Sequence, residues 1–136
     1  MTPRESTTVR EGAGTVLVID DEATVRIVTV RALKAFGFEA LEAEDGAAGV
    51  EAFKANRESV VAVLLDMTMP RMNGEDTFME IKRLDPDARI ILMSGYSEQD
   101  ATERFGGSGL SGFIQKPYEL ATLRSTLEAA LRDAQS

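Results

Sequence analysis

The sequence predicts one α/β domain, in which five β-strands alternate with five α-helices and form a doubly wound parallel sheet. Short apolar runs that suit strands covered on both faces alternate along the chain with longer segments of helical periodicity. This alternation implies right-handed crossovers and helices on both faces of the sheet. A chain of 136 residues is long enough for one domain with its own core.

The first elements follow a polar segment. Residues 1–14 are rich in Thr, Ser, Arg and Glu, so we expect a flexible tail or linker there and a domain over 15–133. The first strand is predicted at 16–19 and the first helix at 23–36, ended by Gly37 in a left-handed conformation. The apolar face predicted for that helix contains Val25, Val28, Ala32, Ala35 and Phe36.

The middle of the chain supplies the predicted central strand. A short strand at 38–43 precedes a helix that starts at Asp45-Gly46 and runs to about Arg57. The uninterrupted apolar run 60–65 suits a strand buried on both faces, so we place it at the centre of the sheet. The third helix is predicted to reach Leu84, with acidic residues in its first turn.

The last third of the chain begins with a strand at 90–93 and a weak helix at about 98–105. The glycine-rich segment 106–109 follows it, and each glycine costs a helix roughly 1 kcal/mol relative to alanine. A fifth strand is predicted at 112–115. A closing helix is predicted at 118–132, followed by a tail at 134–136.

Composition excludes several classes of site. The chain has no cysteine and no histidine, which removes disulfides, thiolate zinc sites and histidine-based acid/base catalysis. The net charge of −8 disfavours direct nucleic-acid binding, which depends on lysine and arginine. The sequence also lacks an apolar run of bilayer length and a signal peptide, so we expect a cytoplasmic protein without a membrane segment.

Polar residues follow four of the predicted strands. Asp20 and Asp21 end the first strand, Asp66 the third, Ser94 the fourth and Lys116 the fifth. Ligands of doubly wound sheets bind outside the carboxyl ends of the strands, where the strand order reverses. We therefore expect these residues to converge on one edge of the sheet.

The converging residues suit phosphoryl transfer. Asp66 offers a carboxylate nucleophile, and Mg²⁺ held by Asp21 and Asp66 would neutralise charge near it. Lys116 and Ser94 could bind further phosphoryl oxygens. Each residue also has an ordinary interpretation. We expect one of Asp20 and Asp21 to cap the first helix, whereas Ser94 could cap the fourth, and Asp66 and Lys116 could belong to loops.

Four segments resemble, in order and spacing, the response-regulator receiver domain (CheY-like superfamily) of two-component phosphorelay signalling. The linker-like start and the sequence Ser94-Gly95-Tyr96 resemble receivers attached to hybrid histidine kinases. The resemblance to the receiver domain covers about residues 15–132. It implies the flavodoxin-like strand order 2-1-3-4-5. The matching segments are 16–22, 66–74, 91–95 and 113–118.

The resemblance implies a phosphoacceptor and a cation site. Asp66 would take a phosphoryl group from a histidine on a partner kinase or histidine phosphotransfer protein. Asp21 would bind Mg²⁺ directly, Asp20 through water, and the backbone carbonyl of Thr68 would add a ligand. The chain would then catalyse its own phosphorylation and dephosphorylation, without turning over an external substrate.

The resemblance also implies a switch. Ser94 would be the switch hydroxyl, Lys116 the phosphate-pairing lysine and Phe113 the aromatic residue that turns inward on activation. Phosphorylation would thereby change the surface formed by the fourth helix, fifth strand and fifth helix. Tyr96, two positions after Ser94, is expected to shield the acyl phosphate from water.

Three other functions are compatible with this fold class. A flavin carrier would use the same edge, but Asp20-Asp21-Glu22 would repel the flavin phosphate. A phosphatase with an aspartyl nucleophile would need another arrangement of acids, and none stands two residues after Asp66. A receiver-shaped interaction module that is never phosphorylated would be expected to lose Asp21, Asp66 or Lys116, and all three are present.

Overall fold

The computed structural model describes residues 14–67, 74–95 and 110–135. Several sequence predictions lie outside these residues, namely the tail up to residue 13, Thr68, Tyr96, the helix at 98–105 and the glycine-rich segment 106–109. No helix of the described residues is long and apolar enough to cross a membrane.

Five parallel strands form one sheet in the order β2-β1-β3-β4-β5, which confirms the predicted fold. The run predicted as the central strand, β3, lies in the middle of the sheet, between β1 and β4. The strands are β1 (Thr15–Ile19), β2 (Glu39–Ala43), β3 (Val60–Asp66), β4 (Ile90–Ser94) and β5 (Leu110–Gln115).

Four helices are described: α1 (Ala23–Ala35), α2 (Gly46–Ala55), α3 (Gly74–Leu84) and α4 (Leu120–Gln135). Asp45 caps α2, where its side chain accepts a hydrogen bond from the Ala48 N–H at 2.8 Å. Gly37 ends α1 with φ of 103°, the left-handed conformation expected from the sequence. The last helix, α4, begins two residues later than predicted and continues to Gln135.

Alternate residues of the strands point into two separate cores. Leu17 and Leu65 belong to the core that also contains Phe53 of α2 and Ile81 of α3. Val18 and Leu64 face the opposite core, which contains residues of α1 and α4, such as Leu33 and Leu127. Helices therefore cover both faces of the sheet, and its strand ends form a rim between them.

The predicted apolar face of α1 was partly wrong. Val28 is 48% exposed, and the residues that α1 buries are Thr29, Val30, Ala32 and Leu33. Apolar residues occur on more than one side of this helix, so periodicity alone left its rotation ambiguous. Val28 instead lies on the outer side of the domain, beside the loop that follows β5.

Candidate functional site

Three carboxylates meet at the carboxyl ends of β1 and β3. The two strands are neighbours, and Ile19 pairs with Leu65, so Asp20 and Asp66 follow at adjacent positions. Asp20 and Asp66 are buried and Asp21 is exposed. One oxygen of each carboxylate lies within 4.8 Å of the other two, so the cluster could hold a metal ion.

The ammonium of Lys116 joins this cluster from the end of β5. Its Nζ atom lies 3.1 Å from Asp20 Oδ2, 3.2 Å from Glu22 Oε1 and 3.3 Å from Asp66 Oδ1. The lysine side chain is 18% exposed, which limits its freedom to turn towards solvent. One cation is therefore shared by three acids, and negative charge remains in excess.

Burial and the excess negative charge together perturb Asp66. Burial, together with the nearby charge of Asp20, raises the pKa of Asp66 from 3.8 to about 7, although Lys116 opposes the change. Burial lowers the pKa of Lys116, but its contacts with Asp66, Asp20 and Glu22 outweigh this effect and raise it overall. Asp66 is therefore only partly ionised near neutral pH, and an added cation would favour its charged form.

The donor set fits a hard divalent cation. All three groups are carboxylates, and Mg²⁺ prefers one or two carboxylates together with water. Asp20 and Asp66 would supply ligands from the ends of two strands, whereas the exposed Asp21 leaves one side of the cluster open to solvent.

Backbone contacts show where Ser94 and Phe113, the other predicted site residues, lie relative to the cluster. The Lys116 N–H donates to the Ser94 carbonyl at 2.7 Å, and the Lys116–Pro117 peptide is cis. Ser94 is buried one position beyond Met93, the ladder partner of Asp66. The structure thus brings the end of β4 to the cluster. Phe113 lies deeper in the sheet, partly buried against the core that contains Leu92.

The predicted helix cap was wrong. Neither Asp20 nor Asp21 caps α1, because Glu22 occupies the N-cap position and makes no side-chain cap hydrogen bond. The Asp20 carboxylate instead accepts the Glu22 N–H at 2.9 Å, which shapes the loop itself. The Asp20 carboxylate thus contacts Lys116 and stabilises the loop, and it does not cap the helix.

Sequence reasoning missed Arg26. Its Nη1 atom donates to the Asp20 carbonyl at 2.6 Å, and its Nε atom lies 3.1 Å from Glu42 Oε1 on β2. The guanidinium thereby anchors the acidic loop to a neighbouring strand. A single arginine one helical turn after an acidic triplet was the available signal.

An apolar groove of about 470 Å³ adjoins the cluster, between α1 and the loop after β5. Its lining includes Val25, Val28, Pro117, Tyr118 and Leu120. Lys116 lines the groove as well as contacting the carboxylates. The sequence did not reveal the groove, because Val28 had been assigned to the core.

Comparison with known proteins gives one consistent result. The family model for the response regulator receiver domain matches residues 16–128. The chemotaxis protein CheY of Bacillus subtilis is 37% identical over 105 residues, which cover 76% of this chain and 86% of that protein. The sensor kinase CckA of Brucella abortus is 33% identical over 127 residues, or 93% of this chain, and the chain spans 13% of the kinase.

Solved structures give the same result. A response regulator receiver domain protein from Clostridium thermocellum has a TM-score of 0.83 at 29% identity, with 90% of this chain and 97% of that chain covered. The CheY of Borrelia burgdorferi, solved with CheX, BeF3 and magnesium, has a TM-score of 0.80 at 26% identity, with 85% and 87% covered.

Proposed function

This chain belongs to the response regulator receiver domain family, and from this membership we propose that Asp66 accepts a phosphoryl group from a histidine of a partner protein. The partner is a histidine kinase or a histidine phosphotransfer protein. One observation carries the proposal: Asp66 is buried, clustered with Asp20 and Asp21, and in contact with Lys116. This combination joins a nucleophile to a cation site and a fixed ammonium.

An oxygen of Asp66 attacks the phosphorus of the donor phosphohistidine. The new O–P bond forms as the N–P bond breaks. The electron pair of the N–P bond stays on the imidazole nitrogen, which takes a proton from water. Lys116, 3.3 Å from Asp66 Oδ1, pairs with a phosphoryl oxygen and reduces the repulsion between the two anions. The raised pKa of Asp66 means that the charged nucleophile needs such compensation.

In this proposal Asp21 and Asp66 would bind Mg²⁺ directly and Asp20 through water, with the Thr68 carbonyl as a further ligand. When bound, the ion would supply positive charge for the carboxylates and for a phosphoryl oxygen. Arg26 supports the arrangement by anchoring the backbone of Asp20. Asp20 also keeps its bond to the Glu22 N–H, so its carboxylate has one oxygen fixed by the loop.

Phosphorylation would switch the neighbouring surface. It adds roughly −1.5 to −2 charge, by analogy with other phosphorylated side chains, and attracts the Ser94 hydroxyl and Lys116. Movement of Ser94 changes the space available to Phe113, which is partly buried on β5. The surface that responds comprises residues 98–105, β5 and α4.

The donor protein binds through the apolar groove. Because Lys116 lines both the groove and the acidic cluster, a helix docked there would bring its histidine next to Asp66. Val28 and Leu120 are half exposed, which suits the apolar face of a partner helix. The groove therefore offers contacts that a small phosphodonor cannot use.

A charge placed in the groove tests this contact. Val28→Glu should lower the ratio of transfer from an autophosphorylated sensor histidine kinase to transfer from phosphoramidate by about tenfold, or 1.4 kcal/mol. Met79→Glu is the matched control, because Met79 is 67% exposed on α3. Equal ratios in both variants would place the docking surface elsewhere.

Intact mass spectrometry tests the proposed function itself. Incubation with Mg²⁺ and either acetyl phosphate or phosphoramidate should add the mass of one phosphoryl group to the wild type and nothing to Asp66→Ala. Chelation of Mg²⁺ should abolish the addition. An unmodified wild type with both small donors and with a phosphorylated kinase would instead indicate a receiver-shaped interaction module.

A further inference from the structure

A hydrogen bond joins two hydroxyls that lie 89 residues apart in the sequence. Thr29 of α1 is fully buried, and its Oγ1 atom contacts the hydroxyl of Tyr118, in the loop after β5. The same Oγ1 atom lies 2.8 Å from the Val25 carbonyl and donates to it. Since a threonine hydroxyl carries one hydrogen, Tyr118 must be the donor in the second bond.

This hydrogen bond restrains residues 116–118, the segment that begins with Lys116. Tyr118 is two residues after Lys116, whose own N–H is held by the Ser94 carbonyl at 2.7 Å. The three-residue segment is therefore fixed at its start by β4 and at its end by α1. The ammonium of Lys116, the first residue of this segment, contacts Asp20, Glu22 and Asp66.

Packing alone does not require these hydroxyls. Val30 and Leu33, on the same helix, belong to the core against which Tyr118 packs, and valine would fill the space of threonine at position 29. Phenylalanine would likewise fill the space of the Tyr118 ring against that core. A buried hydroxyl costs free energy unless it is hydrogen-bonded, so this pair indicates a directional contact rather than a gain in apolar burial.

We propose that the Thr29–Tyr118 hydrogen bond positions Lys116 for phosphoryl transfer by fixing the loop after β5 to α1. This inference rests on the proposed phosphorylation of Asp66. Both residues act through the lysine and touch no reacting atom. Without the bond, the loop keeps its attachment to β4 but loses its attachment to α1, and the ammonium spends less time beside Asp66.

Four variants test the contact: Tyr118→Phe, Thr29→Val, the double variant and Thr29→Ser. The rate of phosphorylation by phosphoramidate at saturating Mg²⁺ should fall about two- to tenfold in each of the first two, as expected for one hydrogen bond. The double variant should be no slower than either single variant, because both remove the same interaction. Thr29→Ser keeps the hydroxyl and should retain the wild-type rate.

A spectroscopic measurement separates positioning from general stability. The Lys116 ammonium of protein labelled with ¹⁵N in its lysines, assigned by its loss in Lys116→Met, should give a signal protected from exchange in the wild type and in Thr29→Ser. Tyr118→Phe and Thr29→Val should weaken this protection. The measurement needs no phosphodonor, so it decides the inference even if phosphorylation fails in every protein.

Two results would overturn the proposal. The first is wild-type rates and wild-type ammonium protection in Tyr118→Phe and Thr29→Val, whether or not their melting temperatures fall. The second is additive rate losses in the double variant, which would show that the two hydroxyls act separately.

Discussion

Neutralising Asp66 should stabilise the metal-free protein, and the gain should depend on pH. The folded protein raises the pKa of this carboxyl from 3.8 to about 7 through burial and the charge of Asp20. Between these two pH values the folded state binds more protons than the unfolded state, so its stability falls as pH rises. The change Asp66→Asn removes this titration and keeps the size of the side chain.

The expected magnitude follows from the size of the pKa change. Each pKa unit corresponds to about 1.4 kcal/mol. The ionised Asp66 therefore costs the folded state on the order of 4 kcal/mol above pH 7 and nothing below pH 4. Asp66→Asn should match the wild type near pH 4 and exceed its free energy of unfolding by a few kcal/mol at pH 8.

Urea unfolding with a chelator present, at several pH values between 4 and 8, measures this difference. Other titrating groups are shared by both proteins and cancel to a first approximation. Adding Mg²⁺ at ten times its Kd should stabilise the wild type by about 1.4 kcal/mol and Asp66→Asn by less. A stability difference that stayed constant with pH, or that shrank as pH rose, would refute the electrostatic account of Asp66.

Three further variants, one of them a control, test the residues that surround the site. Gly74→Ala should destabilise the protein by roughly 1–3 kcal/mol in urea unfolding, because its Cβ would lie 2.6 Å from the Met67 carbonyl oxygen and 2.7 Å from its Cα. Gly95→Ala, whose Cβ meets no described atom within 4 Å, should change stability by less than about 0.5 kcal/mol. Arg26→Gln should weaken Mg²⁺ binding in calorimetry by about three- to tenfold, because the Asp20 carbonyl loses a charged donor. Unchanged Mg²⁺ affinity would mean that Arg26 only links α1 to β2.

The convergence of Asp20 and Asp66 at one edge of the sheet was predictable because it depends on local sequence patterns. An apolar run followed by an acid marks a strand end, and parallel neighbours place such ends together. The pairing of Ile19 with Leu65 brings Asp20 beside Asp66 for this reason. The roles of Asp45 and Gly37 were predictable for the same reason. Asp45 caps α2 and Gly37 ends α1, and both roles depend on local geometry.

Features that depend on distant contacts could not be predicted. The rotation of α1 was ambiguous because apolar residues lie on more than one side, and the exposure of Val28 followed only from the packed structure. No sequence pattern indicated that the Lys116 ammonium would contact Glu22 as well as Asp20 and Asp66. The contact between Thr29 and Tyr118 joins residues too far apart in the chain for any local pattern to predict it.

Chemical trapping of the phosphorylated residue tests the central claim most directly. Borohydride reduces an acyl phosphate to an alcohol, so an aspartyl phosphate at position 66 becomes homoserine, which peptide mass spectrometry can locate. After treatment with phosphoramidate and Mg²⁺, we predict homoserine at position 66 and unchanged aspartate at positions 20 and 21. Homoserine at position 20 or 21, or phosphate on a serine or threonine with Asp66 unmodified, would contradict the account.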